Sequence, residues 1–445
     1  MGLLNEDDLD KVLKDYFSQN SILIVDSVSS ARVSLAATLT KLGAVRQKMA
    51  LVGSMEEARS ELEKLKPKIV FSDFMVGDVS GLDLLQDQKR DYTDAELKKS
   101  LFILVTSNAS QSTVARAAEE DVDTFIIKPY TIGTMQKILY STIKQKLNPS
   151  RYMQLIEAGK QELFQGNYDQ AIHVFEEAMG EHEQPTLACF YAGQAEFMKT
   201  ALGSAEKKYA KGLSYNKIHY KCLIGLYDLL MTQKKYVEAY DVIRRLAQYF
   251  PANPKRLASV LRLAILTENF SDMDEYYKIF LNIGTRTDDL TKYMCSALVV
   301  TGKHYLRKKA PSQALKLFES ASVSAAGRTH FLAYIIEALV DFGMREEAER
   351  YLERMGKIAF ECKDYLISNF LISTLQDDLK GSIQMGRNLL SGGLETPTVY
   401  EKLIIQSIKG EYVDAADELF REACKKWPEK EGDFTYAREI GGIAS

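Results

Sequence analysis

Cysteine, histidine, long apolar runs and net charge are all scarce in this chain, and each scarcity closes a class of function. The five cysteines, Cys189, Cys222, Cys295, Cys362 and Cys424, are an odd number with no two at metal-ligand spacing. They are expected as free thiols in a reducing compartment, without a disulfide framework. The five histidines form no HExxH-like pair, so no zinc centre is expected. No apolar stretch approaches the roughly 18–20 residues of a membrane span. The start, MGLLNEDDLDK, is acidic where a secretion signal is basic. A cytoplasmic protein is the expectation. A formal net charge of −4 over 445 residues supplies no bulk attraction for nucleic acid.

What is present is ample apolar material, 46% of residues against 27% charged, the balance of a globular protein of two or three domains. Residues 1–20 predict a helical arm, with Leu9, Val12, Leu13, Tyr16 and Phe17 on one face and Asn5 as N-cap. From Ser21 strand and helix alternate. Strands are predicted at Ile22–Val25, Lys48–Val52, Ile69–Phe71, Leu101–Val105 and Thr124–Ile127. Helices are predicted over Ala31–Leu42, Met55–Leu65, Gly81–Lys89, Ser110–Glu120 and Thr134–Lys146. Such alternation predicts a doubly wound, five-stranded parallel α/β sheet.

In an open parallel sheet, ligands and chemistry collect beyond the carboxyl ends of the strands. Asp26, Asp73, Thr106 and Lys128-Pro129 follow the first, third, fourth and fifth strands. Carboxylates beside a lysine and a hydroxyl suit a divalent cation and a phosphoryl group. Oxygen ligands take Mg2+, and lysine and hydroxyl donors stabilise the equatorial oxygens of a transferring phosphoryl group. Asp73 is then the nucleophile that forms an aspartyl phosphate.

The motifs ILIVDS, IVFSDFMVGDVSGLDLL, LFILVTSNAS and TFIIKPY, in that order over residues 20–147, resemble the receiver domain of bacterial two-component response regulators, whose fold is flavodoxin-like. The resemblance implies that Asp73 is the phosphoacceptor and Asp26 a metal-site acid. Thr106 is the hydroxyl that follows the phosphoryl group, and Lys128 pairs with phosphoryl and carboxylate oxygens. Phe125 is the aromatic that swings inward on activation, the Met75 carbonyl is a metal ligand, and Lys128–Pro129 is cis. It further implies Mg2+ as cofactor and a sensor histidine kinase or phosphotransfer protein as donor, and leaves open a homodimer through the receiver. Two positions depart from the family. Ser27 stands where a second acid, usually the direct metal ligand, is expected, so Mg2+ should bind weakly. Gly77 stands where proline is common.

From Arg151 the strand signals vanish. Ala171, Ala205, Ala239 and Met273 recur 34 residues apart, with Leu155, Cys189, Leu223 and Leu257 in the same frame and Gly159 and Gly193 four positions later. Ala314 and Ala348 continue the pattern, and GEYVDAADELF around Ala415 is the last clear unit. A 34-residue period of paired helices resembles the tetratricopeptide repeat over residues 151–428, best in AGKQELFQGNYDQAIHVFEEA and weakest near 360–395. A break or longer loop is expected between Met273 and Ala314, around NIGTRTDDLTK. The resemblance implies an all-α superhelical solenoid whose concave face binds a protein or peptide. In the family's frame that groove includes Lys160, Gln194, Asp228 and Arg262, with the apolar Leu163, Phe197, Met231 and Ile265 nearby. The cluster Lys207, Lys208, Lys211, Lys217 and Lys221 is expected as a solvated helix face.

The expected layout is therefore an arm to residue 20, a receiver over 21–147, a linker at 148–152, repeats over 153–428 and a cap or tail over 429–445. No helix-turn-helix or zinc finger follows the receiver, and residues 151–445 carry no Walker loop or nucleophile–base pair. The expected function is a response regulator whose output is protein binding. The rivals are a receiver that folds without being phosphorylated and serves as a scaffold, and an adaptor that modulates another kinase–regulator pair.

Overall fold

The computed structural model describes residues 6–77, 79–107, 122–250, 254–283 and 286–443. The expected helix over Ser110–Glu120 lies outside them, as do Asn5 and the side chain of Leu9. Five parallel strands, β1 (Ile22–Val25), β2 (Met49–Val52), β3 (Ile69–Ser72), β4 (Leu101–Thr106) and β5 (Thr124–Ile127), form one sheet in the order β2-β1-β3-β4-β5. The central strands are apolar up to their last residues, Ser72 on β3 and Thr106 on β4, because both faces are covered. Ile22, Ile24, Phe71, Ile103 and Val105 enter one buried cluster, while Leu23, Val25, Val70, Phe102 and Leu104 enter the other. On the edge strand β5 only Ile126 is buried.

Helix α1 (Glu6–Gln19) packs on the sheet domain: its Leu13 and Phe17 share a cluster with Leu39, Phe71 and Ile143. Gly43, at φ +103°, is what lets the chain pass, since a Cβ there would lie 2.6 Å from Lys14 Cα. Helices α2 (Ser29–Lys41), α3 (Met55–Leu65) and α4 (Gly81–Asp91) follow their strands. A short additional helix, α5 (Asp94–Lys99), precedes β4, started by a capping box of Thr93 and Glu96 that the sequence spells out. Helix α6 (Ile132–Leu147) ends the domain, and Ser150 caps the next helix, so the link is three residues long.

By contacts the chain divides into two compact units, up to Leu263 and from Ala264 onward. After α6 the first unit holds three helix hairpins: α7 (Arg151–Phe164) with α8 (Tyr168–Gly180), α9 (Thr186–Met198) with α10 (Leu202–Tyr215), and α11 (Tyr220–Thr232) with α12 (Tyr236–Tyr249). Helix α13 (Pro254–Leu266) crosses the division and is followed by α14 (Met273–Asn282). The second unit continues with α15 (Asp288–Arg307) and α16 (Pro311–Ala325), α17 (Thr329–Asp341) and α18 (Arg345–Ala359), α19 (Lys363–Ser373) and α20 (Leu379–Ser391), and α21 (Pro397–Lys409) and α22 (Val413–Lys426). The segment expected as a cap or tail is a helix, α23 (Glu431–Ile443), whose Phe434 is buried beside Tyr400 and Trp427.

The repeat is more regular than the sequence suggested. Ala171, Ala205, Ala239, Met273, Ala314 and Ala348 are all buried. The region near 360–395 is an ordinary hairpin whose small buried residue is Ser382, 34 residues after Ala348. The final unit is also in step, but on Ala416; Ala415 is only half-buried, because α22 starts one residue later than the GNYDQA frame implied. The extra residues before Ala314 form no long loop. They lengthen α15 to 20 residues where the other first helices have 11–14.

Within hairpins a glycine faces an aromatic ring. A Cβ at Gly159 would lie 2.4 Å from Phe175, at Gly193 2.6 Å from Tyr209 and at Gly302 2.2 Å from Phe318. In α19/α20 the partners exchange helices, Phe370 on the first and Gly386 on the second, at 2.8 Å. Either order conserves the volume between the helices, which is what dense packing requires. Gly302→Ala is expected to lower stability by about 1–3 kcal/mol through overpacking against Phe318. Thermal unfolding followed by circular dichroism checks this, and an unchanged midpoint contradicts the close approach.

Candidate functional site

The parallel register brings the strand ends together. Asp73 donates its amide to the Val25 carbonyl at 2.8 Å, and Lys128 donates its amide to the Thr106 carbonyl at 2.8 Å. Asp26 and Asp73 thus leave the adjacent strands β1 and β3, and Lys128 leaves β5, two strands beyond β3, all at one edge, where side chains converge in a doubly wound sheet.

The Lys128 ammonium lies between the two acids, 2.6 Å from Asp26 Oδ2 and 2.8 Å from Asp73 Oδ2. The remaining carboxylate oxygens are held by the main chain: Val28 N–H donates to Asp26 Oδ1 at 2.8 Å, and Phe74 N–H to Asp73 Oδ1 at 2.6 Å. Asp26 is buried, whereas Asp73 and Lys128 remain partly open to solvent. Burial is the largest single influence on Lys128 and opposes its charge, but the two carboxylates together outweigh it and hold its pKa above the ordinary lysine value. The Lys128–Pro129 bond is cis.

The other expected site residues differ in exposure. The Thr106 side chain is buried. Met75 and Phe125 are exposed, Met75 in a two-residue hairpin (Met75–Val76 with Val79–Ser80) and Phe125 on the edge strand. Ser27 is exposed. Gly77 sits in the hairpin turn at φ +64°, a conformation closed to proline, so this loop has its own geometry.

Two residues at the site carry more than the sequence suggested. In the sequence Gly81 marks the end of a glycine-containing loop and the start of a helix. Its N–H donates to the Phe74 carbonyl at 2.8 Å, and a Cβ there would fall 2.0 Å from the Asp73 carbonyl oxygen. Only glycine allows the loop to fold back over Asp73. Arg32 belongs to none of the sequence motifs. Its Nη1 donates to the Asp26 carbonyl at 2.6 Å and the Ser27 carbonyl at 3.2 Å. No motif in the chain announces either contact.

As a metal site the donor set is of the right kind and short of charge. Asp26, Asp73 and a main-chain carbonyl are hard oxygen donors of the type Mg2+ takes. Among the described residues no three His, Cys, Asp or Glu side chains gather to hold an ion. The thiols are free, and Cys189, Cys222 and Cys295 are buried, which pushes all three up in pKa.

In the helical region the positions expected to line a groove recur on first helices: Lys160 and Leu163 on α7, Gln194 and Phe197 on α9, Asp228 and Met231 on α11, Arg262 and Ile265 on α13. Asp228 and Arg262 are exposed and the others half-buried. Lys160 pairs with Glu157 at 2.7 Å and lies over the Tyr191 ring. Of the basic cluster, Lys208 pairs with Glu176, and Lys221 lies over Phe190 and Tyr191.

A family model for the response regulator receiver domain matches residues 22–140. The probable chemotaxis protein CheY of Rhizobium etli is 30% identical over 115 residues, covering 85% of that protein and 26% of this chain. Chemotaxis protein CheY-3 of Vibrio cholerae is 30% identical over 118 residues, covering 87% of its length and 26% of this chain. These matches concern the sheet domain. Among solved structures, a tetratricopeptide repeat protein from Parabacteroides merdae aligns with 57% of this chain and 97% of its own, at 14% identity and a TM-score of 0.30. The repeat assignment therefore stands on this chain's own 34-residue register. Among the described residues no helix is long and apolar enough to cross a membrane.

A lysine whose pKa is raised on folding stabilises fully below its unfolded value, near 10.5, and loses that contribution as pH climbs through the folded value. Lys128→Met, which leaves two facing carboxylates, is expected to cost roughly 2 kcal/mol near neutral pH. The gap between the two proteins in urea unfolding should shrink above pH 10.5. A gap that is absent at pH 7, or that persists unchanged at alkaline pH, contradicts the lysine bridge.

Proposed function

The chain belongs to the response regulator receiver family through its first domain, and we propose that it is a cytoplasmic phosphorylation-controlled binding protein. In this reading Asp73 takes a phosphoryl group from the phosphohistidine of a sensor kinase or phosphotransfer protein. A carboxylate oxygen forms the new P–O bond, the P–N bond breaks, and the imidazole leaves. The observation that carries the reading is the Lys128 ammonium, fixed 2.8 Å from Asp73 and tied to Asp26. That arrangement gives a cation already positioned for phosphoryl oxygens.

Asp26, Asp73 and the Met75 carbonyl are the residues that would hold Mg2+, which supplies charge neutralisation to the transferring group. With serine at position 27 in place of an acid, the affinity is weaker than at a three-acid site. Once Asp73 carries the added charge, Lys128 and the Thr106 hydroxyl turn toward the new oxygens. Phe125, exposed on the edge strand, is then free to repack inward, and the surface formed by β5 and α6 changes. That surface joins the helical region through three residues, so contacts of the repeats with a protein or peptide partner are the output. The first-helix positions from Lys160 to Ile265 are the binding face in this reading.

Ser27 favours a second reading, a receiver that docks partners without being phosphorylated. Full-length protein used as bait, with and without a small phosphodonor, separates them. Captured partners should differ between the two states, and Asp73→Asn should behave as the unphosphorylated bait throughout. Identical capture by all three would support the scaffold.

A further inference from the structure

We propose that Arg32 is a resident cation of the acid pocket and sets how strongly the site takes a divalent ion. The proposal rests on the reading of Asp26 and Asp73 as the metal-assisted phosphoacceptor pair, and deepens it by naming the residue that tunes it.

Arg32 lies in the first turns of α2, and its Nη1 is anchored on the carbonyls of Asp26, at 2.6 Å, and Ser27, at 3.2 Å. Gly53, at the end of β2, makes room for it. A Cβ there would stand 3.1 Å from Nη1 and 3.4 Å from Cζ, so the guanidinium lies against bare backbone. Among the described residues Arg32 forms no ion pair, although the Glu57 carboxylate accepts from the Gly53 amide at 3.0 Å on the same stretch of backbone. A full positive charge is thus fixed to the main chain of the two residues that open the pocket, beside the position where serine replaces an acid.

The two acids already face cations without any ion. Asp26 and Asp73 are opposed by Lys128, which touches both, and by Arg32, which is held on the Asp26 main chain. A divalent ion approaching this pocket meets carboxylates already compensated and two fixed cations. Repulsion from a unit charge is doubled for an ion of charge two, and it weakens only slowly with distance inside a partly desolvated cleft. Ser27 and Arg32 therefore act in the same direction: one withholds a ligand and the other supplies a competing charge.

Arg32 also ties down the β1–α2 turn, so the test must separate charge from tethering. Mn2+ binding to the full chain, read from the loss of the free-ion electron paramagnetic resonance signal and checked by Mg2+ competition, does so without any phosphodonor. Arg32→Gln keeps donors and removes the charge, and it is expected to bind Mn2+ about tenfold more tightly, with a smaller gain at high salt. Arg32→Lys keeps the charge and should bind as the wild type does. Ser27→Asp should gain more in the Arg32→Gln background than alone, because Arg32 no longer offsets the added carboxylate. An Arg32→Gln protein that is folded by circular dichroism yet binds Mn2+ no more tightly overturns the proposal, as does an Arg32→Lys protein that shifts equally. If Asp73→Asn abolishes Mn2+ binding in that case, only the role of Arg32 is lost. If Asp73→Asn leaves binding unchanged, the ion is not at the acid pair, and the underlying reading fails with the proposal.

Discussion

One ammonium between two carboxylates is the interaction on which the first domain depends. Asp26 and Asp73 leave adjacent parallel strands, and without a cation between them their charges would repel in a partly buried setting. Lys128 reaches them because β5 continues the sheet in register and its last amide bond, from Lys128 to the Thr106 carbonyl, fixes the backbone. The loop after Asp73 folds back only because residue 81 has no side chain. Sheet order, strand register and one glycine thus converge on three polar atoms, and the apolar clusters on both faces hold those strands in place.

The helical region obeys a different constraint, the volume between paired helices. Its recurrent solution sets glycine against an aromatic ring, and α19/α20 shows that which helix carries the ring is immaterial. That indifference explains why a hairpin hidden to inspection folds like its neighbours. Ser382 fills the small position as well as alanine does, and Phe370 with Gly386 restores the volume in reverse. Two runs in strict 34-residue step, from Ala171 to Met273 and from Ala314 to Ala416, meet across an elongated helix.

Legibility in the sequence followed the kind of signal. Strands and helices with clear periodicity were read almost to the residue, as at Met55–Leu65 and Thr124–Ile127. The site acids and Lys128 were readable because each ends an apolar strand run. Gly81 and Arg32 were not, since a close approach and a side chain folded onto carbonyls leave no periodic trace. The frame error at Ala415 arose because a second alanine follows it, and only burial tells the two apart. The expected loop before Ala314 was extra helix, because TKYMCSALVVTGKHYLR has no breaker strong enough to stop a helix once packed.

The central claim is that the Asp26–Lys128–Asp73 triad receives a phosphoryl group, and intact-mass spectrometry tests it most directly. After incubation of the full chain with a small phosphodonor and excess Mg2+, the account predicts the mass increase of one phosphoryl group, mapped by digestion to the peptide containing Asp73. An unshifted mass under those conditions, or an adduct that survives in Asp73→Asn, would contradict it.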